Sequence, residues 1–172
     1  MKLKAICLGL VLAVSTMMAG EFVNYKGLTK KLKAEAKKSG MYATTDEVKA
    51  ALKSKEWIVA DVRTMEEWSA AHIKGAVRIG RQAPEKGLEL YALDDDDKFV
   101  KKNLIVVCNS AARASIESQV FRQMGFDKVK IYDLYSWIDE CNPVVTKYTV
   151  KKDKGGQNLK FGNFYAEHCY KK

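Results

Sequence analysis

Leu104-Ile105-Val106-Val107-Cys108-Asn109-Ser110-Ala111-Ala112-Arg113 sets four apolar residues directly before a cysteine, then a run of small residues closed by an arginine. From Ala114 to Met124 the pattern turns helical, with Ile116, Val120 and Met124 on one stripe and Gly125 as the stop. The apolar run predicts a buried strand, so the cysteine falls where a strand ends and a helix begins. Backbone N–H groups at a helix N-terminus favour negative charge, which suits a thiolate at that spot. Ser110, Ala111 and Ala112 let the loop curl around the sulfur, Asn109 starts it, and Arg113 brings a fixed positive charge. The pattern reads as a cradle for a nucleophilic thiol. The plainer alternative is a small buried hydrophobe ending a strand.

The flanking sequence supplies the frame. Residues 22–39 carry Leu28, Leu32 and Ala36 at four-residue steps among lysines, which predicts an amphipathic helix stopped by Gly40. Thr44 stands three before Glu47, the spacing of a capping box, and opens a second helix to about Ser54. Strands are expected at 57–62, 76–79, 104–107 and 128–132, and short helices at 65–71 and 136–140. The acidic run 94–97 reads as a solvated turn or helix start, with a weak cation site as the alternative. Strands alternating with helices predict an α/β fold, a central parallel sheet with helices on both faces. Ligands in such folds bind beyond the carboxyl ends of strands, and Cys108 sits at one such end.

A longer pattern joins this loop to the rest of the chain. Trp57-Ile58-Val59-Ala60-Asp61-Val62-Arg63, then Glu66-Glu67-Trp68, then Ala71-His72-Ile73-Lys74-Gly75-Ala76, precede the loop at 108–113, and Trp137 is followed six residues on by Pro143. In order and spacing this resembles the rhodanese-like sulfurtransferases over about residues 42–146. The ending Ala111-Ala112-Arg113-Ala114 is similar to the loop of periplasmic polysulfide-sulfurtransferases. Two departures stand out: Ala111 where most family loops have glycine, and Tyr132-Asp133 where a Gly-Gly pair usually precedes the tryptophan. The resemblance implies one rhodanese-like domain with the active loop at a strand-to-helix junction. It implies Cys108 as the nucleophile, taking sulfane sulfur from thiosulfate or polysulfide as a persulfide and passing it to a thiophilic acceptor without a cofactor. The alternative is a non-catalytic periplasmic carrier that delivers sulfane sulfur to a partner enzyme of sulfur metabolism. Related phosphatases use Cys-x5-Arg; here four residues separate Cys108 from Arg113, a ring better sized for sulfur than for phosphate.

Lys2 and Lys4 precede the apolar stretch 5–19, which ends in Ala19-Gly20. A membrane-spanning helix needs about 20 residues, so residues 1–20 read as a signal peptide. The expectation is export to the periplasm with no stable membrane anchor, an uncleaved anchor being the alternative. Removal of those 20 residues leaves 152 of the 172 and a net charge of +7 in place of +9. That excess belongs to the flanks: residues 41–142 carry fifteen basic and seventeen acidic side chains. A nucleic-acid surface wants a basic stripe with interleaved aromatics, and none is evident.

All five arginines lie between 63 and 122, and Arg63 and Arg78 are the expected holders of a small anionic sulfur substrate. Cys141 and Cys169 either bridge, tying the tail to the domain and leaving Cys108 free, or stay reduced. With His72 and His168 the only histidines and no paired-ligand spacing, no metal site is expected. The chain thus divides into 1–20, a helical segment 21–41, the domain 42–146 and a basic, aromatic tail 147–172. A homodimer is left open.

Overall fold

A computed structural model describes residues 23–147 and 162–170; the signal sequence expected at 1–20 and the stretch 148–161 lie outside them. Asn24 opens α1 (Tyr25–Lys38), its side-chain oxygen accepting from the Gly27 N–H. Gly40, at φ 67°, reverses the chain. Thr44 then caps α2 (Thr45–Ala51) through the expected box, closed from both sides by Thr44 and Glu47. That helix stops at Ala51, before Ser54. Next come β1 (Trp57–Asp61), α3 (Met65–Ala70), β2 (His72–Ile73) and β3 (Val77–Arg78). After them the chain forms α4 (Pro84–Ala92), β4 (Asn103–Cys108), α5 (Ala112–Gln123), β5 (Lys128–Asp133) and α6 (Leu134–Asp139). β6 (Val144–Thr146), β7 (Gly162–Phe164) and a 3-10 turn at Glu167–Tyr170 complete it.

The main sheet is parallel in the order β3-β1-β4-β5, which puts the strand ending in Cys108 inside. Residues buried on both faces make β4 a continuous apolar run rather than an alternating one. On one face Leu104, Val106 and Cys108 meet Ala36 of α1, Leu88 and Ala92 of α4, and Ala114 and Phe121 of α5. On the other, Ile105 and Val107 meet Val48 and Ala51 of α2 and Trp137 of α6. This is the α/β architecture expected, with helices on both faces.

Three features depart from the expectation. α4 was not foreseen: Pro84 sits at its first turn behind Ala83, whose φ of 48° places it in the left-handed region. The stripe Ile116-Val120-Met124 is not the buried face of α5; Ala114, Ser115, Ser118 and Phe121 are, and Val120 is 39% exposed. α5 is gripped by the sheet, α1 and α4 at once, and small residues permit that close approach where a single large-residue stripe would not. A second sheet, β2-β6-β7, is antiparallel, so part of the expected tail adds a strand to the edge of the domain.

Both departures from the usual motif are explained locally. Ala111 adopts φ 59°, the left-handed conformation that glycine takes at no steric cost. Tyr132 is buried with its hydroxyl 2.6 Å from Thr45 Oγ1, and burial pushes its phenol up to about 12. Asp133 caps α6, accepting from the Ser136 N–H and hydroxyl. Trp137 Nε1 donates to the Pro143 carbonyl at 2.9 Å, which fixes the six-residue spacing seen in the sequence.

Candidate active site

Cys108 closes β4 and is 1% exposed; it is a free thiol. Ala111 forms the N-cap of α5 and offers no side-chain cap. The first-turn N–H groups of α5 therefore lack an intrahelical partner and remain for an anion at the mouth of the loop. Ser110 is exposed at the loop tip, Ala111 is fully buried and Ala112 begins the helix.

A carboxylate outside the expected site residues holds this loop at both ends. Glu67 of α3 accepts from Arg113 Nη1 and Nη2, each at 2.6 Å, from Asn109 Nδ2 at 2.8 Å and from the Thr64 N–H at 3.1 Å. The paired guanidinium is the main reason that its carboxyl falls to about 2. Arg113, expected as a fixed positive charge beside the loop, is a clamp whose charge is matched inside the protein by Glu67. The legible signal was the spacing Thr64-x-x-Glu67, the same capping box as Thr44 and Glu47, which orients α3 and aims the carboxylate.

Arg63 needs a correction. It was expected to face the substrate, but it is 2% exposed and all its donors are taken by the protein. Nε and Nη2 bond the buried Asp61 carboxylate at 2.7–3.0 Å. Nη1 donates to the Glu67 carbonyl and to Asn109 Oδ1, and Nη2 to the Ala71 carbonyl. Five N–H groups on a planar fork can tie four segments at once, which makes this arginine a structural post under the loop. Asn109 links Arg63 to Glu67, and its carbonyl accepts from the Tyr135 N–H at the start of α6.

Arg78 is placed differently. With Arg81, Thr64, Met65 and Glu66 it lines a cavity of about 370 Å³ at the carboxyl ends of β1 and β3. Among the described residues neither Arg78 nor Arg81 forms an ion pair within 4.0 Å. Gly80, at φ 81°, leaves room for the Arg78 guanidinium, since a Cβ there would lie 2.8 Å from Nη1. His72 stacks on Trp68 with centroids 3.8 Å apart and donates from Nδ1 to the Trp68 carbonyl; burial lowers its titration, so the ring is neutral.

Cys141 and Cys169 form a disulfide that fastens the 3-10 turn to the end of α6. His168 lies with them, the three ligand atoms within 4.8 Å of one another, a grouping the linear spacing hid. Bonded to each other, the two sulfurs offer no thiolate to a metal.

The family model for the rhodanese-like domain matches residues 44–134. A tRNA uridine(34) hydroxylase of Streptococcus uberis is 32% identical over 95 residues, covering 53% of this chain and 27% of that protein. The Streptococcus pneumoniae protein of the same name is 30% identical over the same length. The chain thus spans about a quarter of the length of these curated relatives. Among solved structures, the polysulfide-sulfur transferase homodimer from Wolinella succinogenes superposes with a TM-score of 0.54 at 22% identity, over 74% of this chain and 94% of that one, a likeness of fold.

Proposed function

This chain belongs to the rhodanese-like domain family, and from that premise we propose that it is an exported sulfurtransferase. In this reading it moves sulfane sulfur from thiosulfate or polysulfide to a thiophilic acceptor through a Cys108 persulfide. The observation that carries it is the position of the sulfur, at the end of the central strand and directly before the uncapped N-terminus of α5. The Cys108 thiolate attacks the outer sulfur of the donor; the donor's S–S bond breaks, and its electron pair leaves with sulfite or the shortened polysulfide. The acceptor then attacks the outer sulfur of the persulfide and regenerates the thiolate. Loop N–H groups stabilise the anionic sulfur in both half-reactions.

In this reading Arg78, which lines its cavity beside the strand ends with Arg81, supplies charge for the anionic donor. Export rests on the pattern of residues 1–20. The relatives named for tRNA share one 95-residue stretch with this chain, and the balanced charge of residues 41–142 lends a nucleic-acid role no support. A homodimer, the state named for the Wolinella succinogenes structure, belongs to the same proposal. Turnover separates an enzyme from a carrier. Wild-type protein is expected to produce thiocyanate catalytically from cyanide with either donor, and Cys108→Ser to produce none while keeping its thermal transition. Equal activity in the two proteins would place the nucleophile elsewhere.

A further inference from the structure

The disulfide accounts for Cys141 and Cys169 as a staple, but a staple needs no imidazole beside it. His168 stands next to Cys169 in the 3-10 turn and is exposed, so packing does not explain where its ring lies. Its Nε2 nevertheless sits 3.3 Å from the carbonyl of Asp139, two residues before Cys141, as an N–H donor to that oxygen. Cys141 Sγ lies 4.0 Å from the same oxygen. One ligand atom from each of Cys141, His168 and Cys169 falls within 4.8 Å of the others, the one grouping of its kind among the described residues. With the proton on Nε2, the Nδ1 lone pair stays available. A metal-bound histidine that donates its other N–H to a backbone carbonyl is the usual arrangement.

Two thiolates and an imidazole are a donor set for zinc. Zn–S bonds of about 2.3 Å and Zn–N bonds of about 2.0 Å set tetrahedral ligand atoms roughly 3.5–3.8 Å apart. Small side-chain rotations separate the three atoms from that spacing once the sulfurs are no longer bonded. Reduction would also leave the scaffold in place. β6 and β7 pair over Val144–Thr146 and Gly162–Phe164. The Cys169 N–H donates to the Ala166 carbonyl at 3.0 Å and the Cys141 N–H to the Ile138 carbonyl at 3.1 Å. Tyr170 packs edge-on against Tyr165. None of these contacts passes through the S–S bond. Asp139 and Glu140 before Cys141, and Glu167 before His168, are exposed and add negative charge beside the ligands, in a chain whose net charge is +9. Both sulfurs are half-buried, within reach of a reductant and an ion.

We propose that Cys141, Cys169 and His168 form a redox-gated zinc site: a disulfide when oxidised, and a two-cysteine, one-histidine zinc centre with water in the fourth position when reduced. The reductant is a small thiol. Its thiolate attacks one protein sulfur, the Cys141–Cys169 bond breaks, and the electron pair leaves on the other sulfur. A second thiolate attacks the reductant's sulfur in the mixed disulfide and frees the remaining cysteine. Two electrons reach the protein, and the reductant leaves as its own disulfide. Zn2+ then displaces the two thiol protons and, by binding the dithiol form alone, opposes reoxidation. The site is independent of Cys108 and of the sulfurtransferase reading.

The test uses the full chain, reduced with a phosphine and titrated with Zn2+ against a chromophoric chelator, with native mass spectrometry counting bound ions. Reduced protein is expected to bind one zinc ion and oxidised protein none. His168→Ala, reduced in the same way, should bind about a hundredfold more weakly, since a ligand counts for at least as much as the partners that orient it. In reduced wild type, zinc should also shield Cys141 and Cys169 from alkylation, a measurement by peptide mapping that needs no variant. Zinc uptake that is absent from the reduced protein, equal in the oxidised protein, unaffected by His168→Ala, or without protection of the two cysteines overturns the proposal and leaves the disulfide a staple alone.

Discussion

Glu67 carries more of the site than its place on a short helix suggests, because one carboxylate binds both the residue after Cys108 and the arginine that ends the loop. Glu67→Gln keeps the shape and removes the charge. It is expected to cost about 2 kcal/mol of stability, in the range for hydrogen bonds to charged groups, and to lower kcat through a loosened loop. The pH dependence has a definite sign. The carboxyl titrates at about 2 in the folded protein against an ordinary 4.5, so its contribution is complete above about pH 4.5 and fades as pH falls through 2. Denaturant titrations should therefore show a gap between wild type and variant that is constant at neutral pH and closes in acid. The two arginines separate in the same experiments. Arg63→Ala strands the buried Asp61 carboxylate, at about 3–5 kcal/mol, and should abolish the cooperative thermal transition. Arg78→Ala should leave melting unchanged and raise KM for thiosulfate about tenfold with little change in kcat.

At the scale of elements, legibility followed how many neighbours each element has. β4 and β1 were readable because strands buried on both faces must be apolar throughout, β5 because Val129 and Ile131 alternate with Lys128 and Lys130, and α2 because its capping box is local chemistry. α5 was found but turned to the wrong face, since a helix gripped from several sides buries Ala114, Ser115 and Ser118, which carry no hydrophobic signal. β2, β6 and β7 are two or three residues long and gain their identity from pairing alone. The disulfide is the element-scale feature open to test. Its cysteines are separated by 28 residues, and closing a loop of that size is worth about 3–4 kcal/mol in the chain-entropy account. Cys141→Ser combined with Cys169→Ser should lower stability by up to that amount and leave thiosulfate:cyanide turnover near the wild-type value, because neither sulfur enters the reaction. Loss of turnover at a temperature where the variant is folded would tie the staple to the site.

Taken as one molecule, the chain brings its candidate site to the carboxyl edge of the parallel sheet, where loops after β1, β3 and β4 converge. The order of these loops was legible, and the structure joins Asn109 and Arg113 through Glu67 beside Cys108. Which arginine is free was not, because Arg63 and Arg78 look alike in sequence; Asp61 is the sheet partner of Arg78, yet its carboxylate turns to Arg63. The central claim is that Cys108 carries sulfur. Intact-mass spectrometry of the protein after thiosulfate or polysulfide, with peptide mapping, measures this directly. The expected result is a gain of one sulfur atom located on Cys108, lost on addition of cyanide and absent in Cys108→Ser. A wild-type protein that turns over either donor without added mass on Cys108, or that carries the sulfur on Cys141 or Cys169, would contradict it.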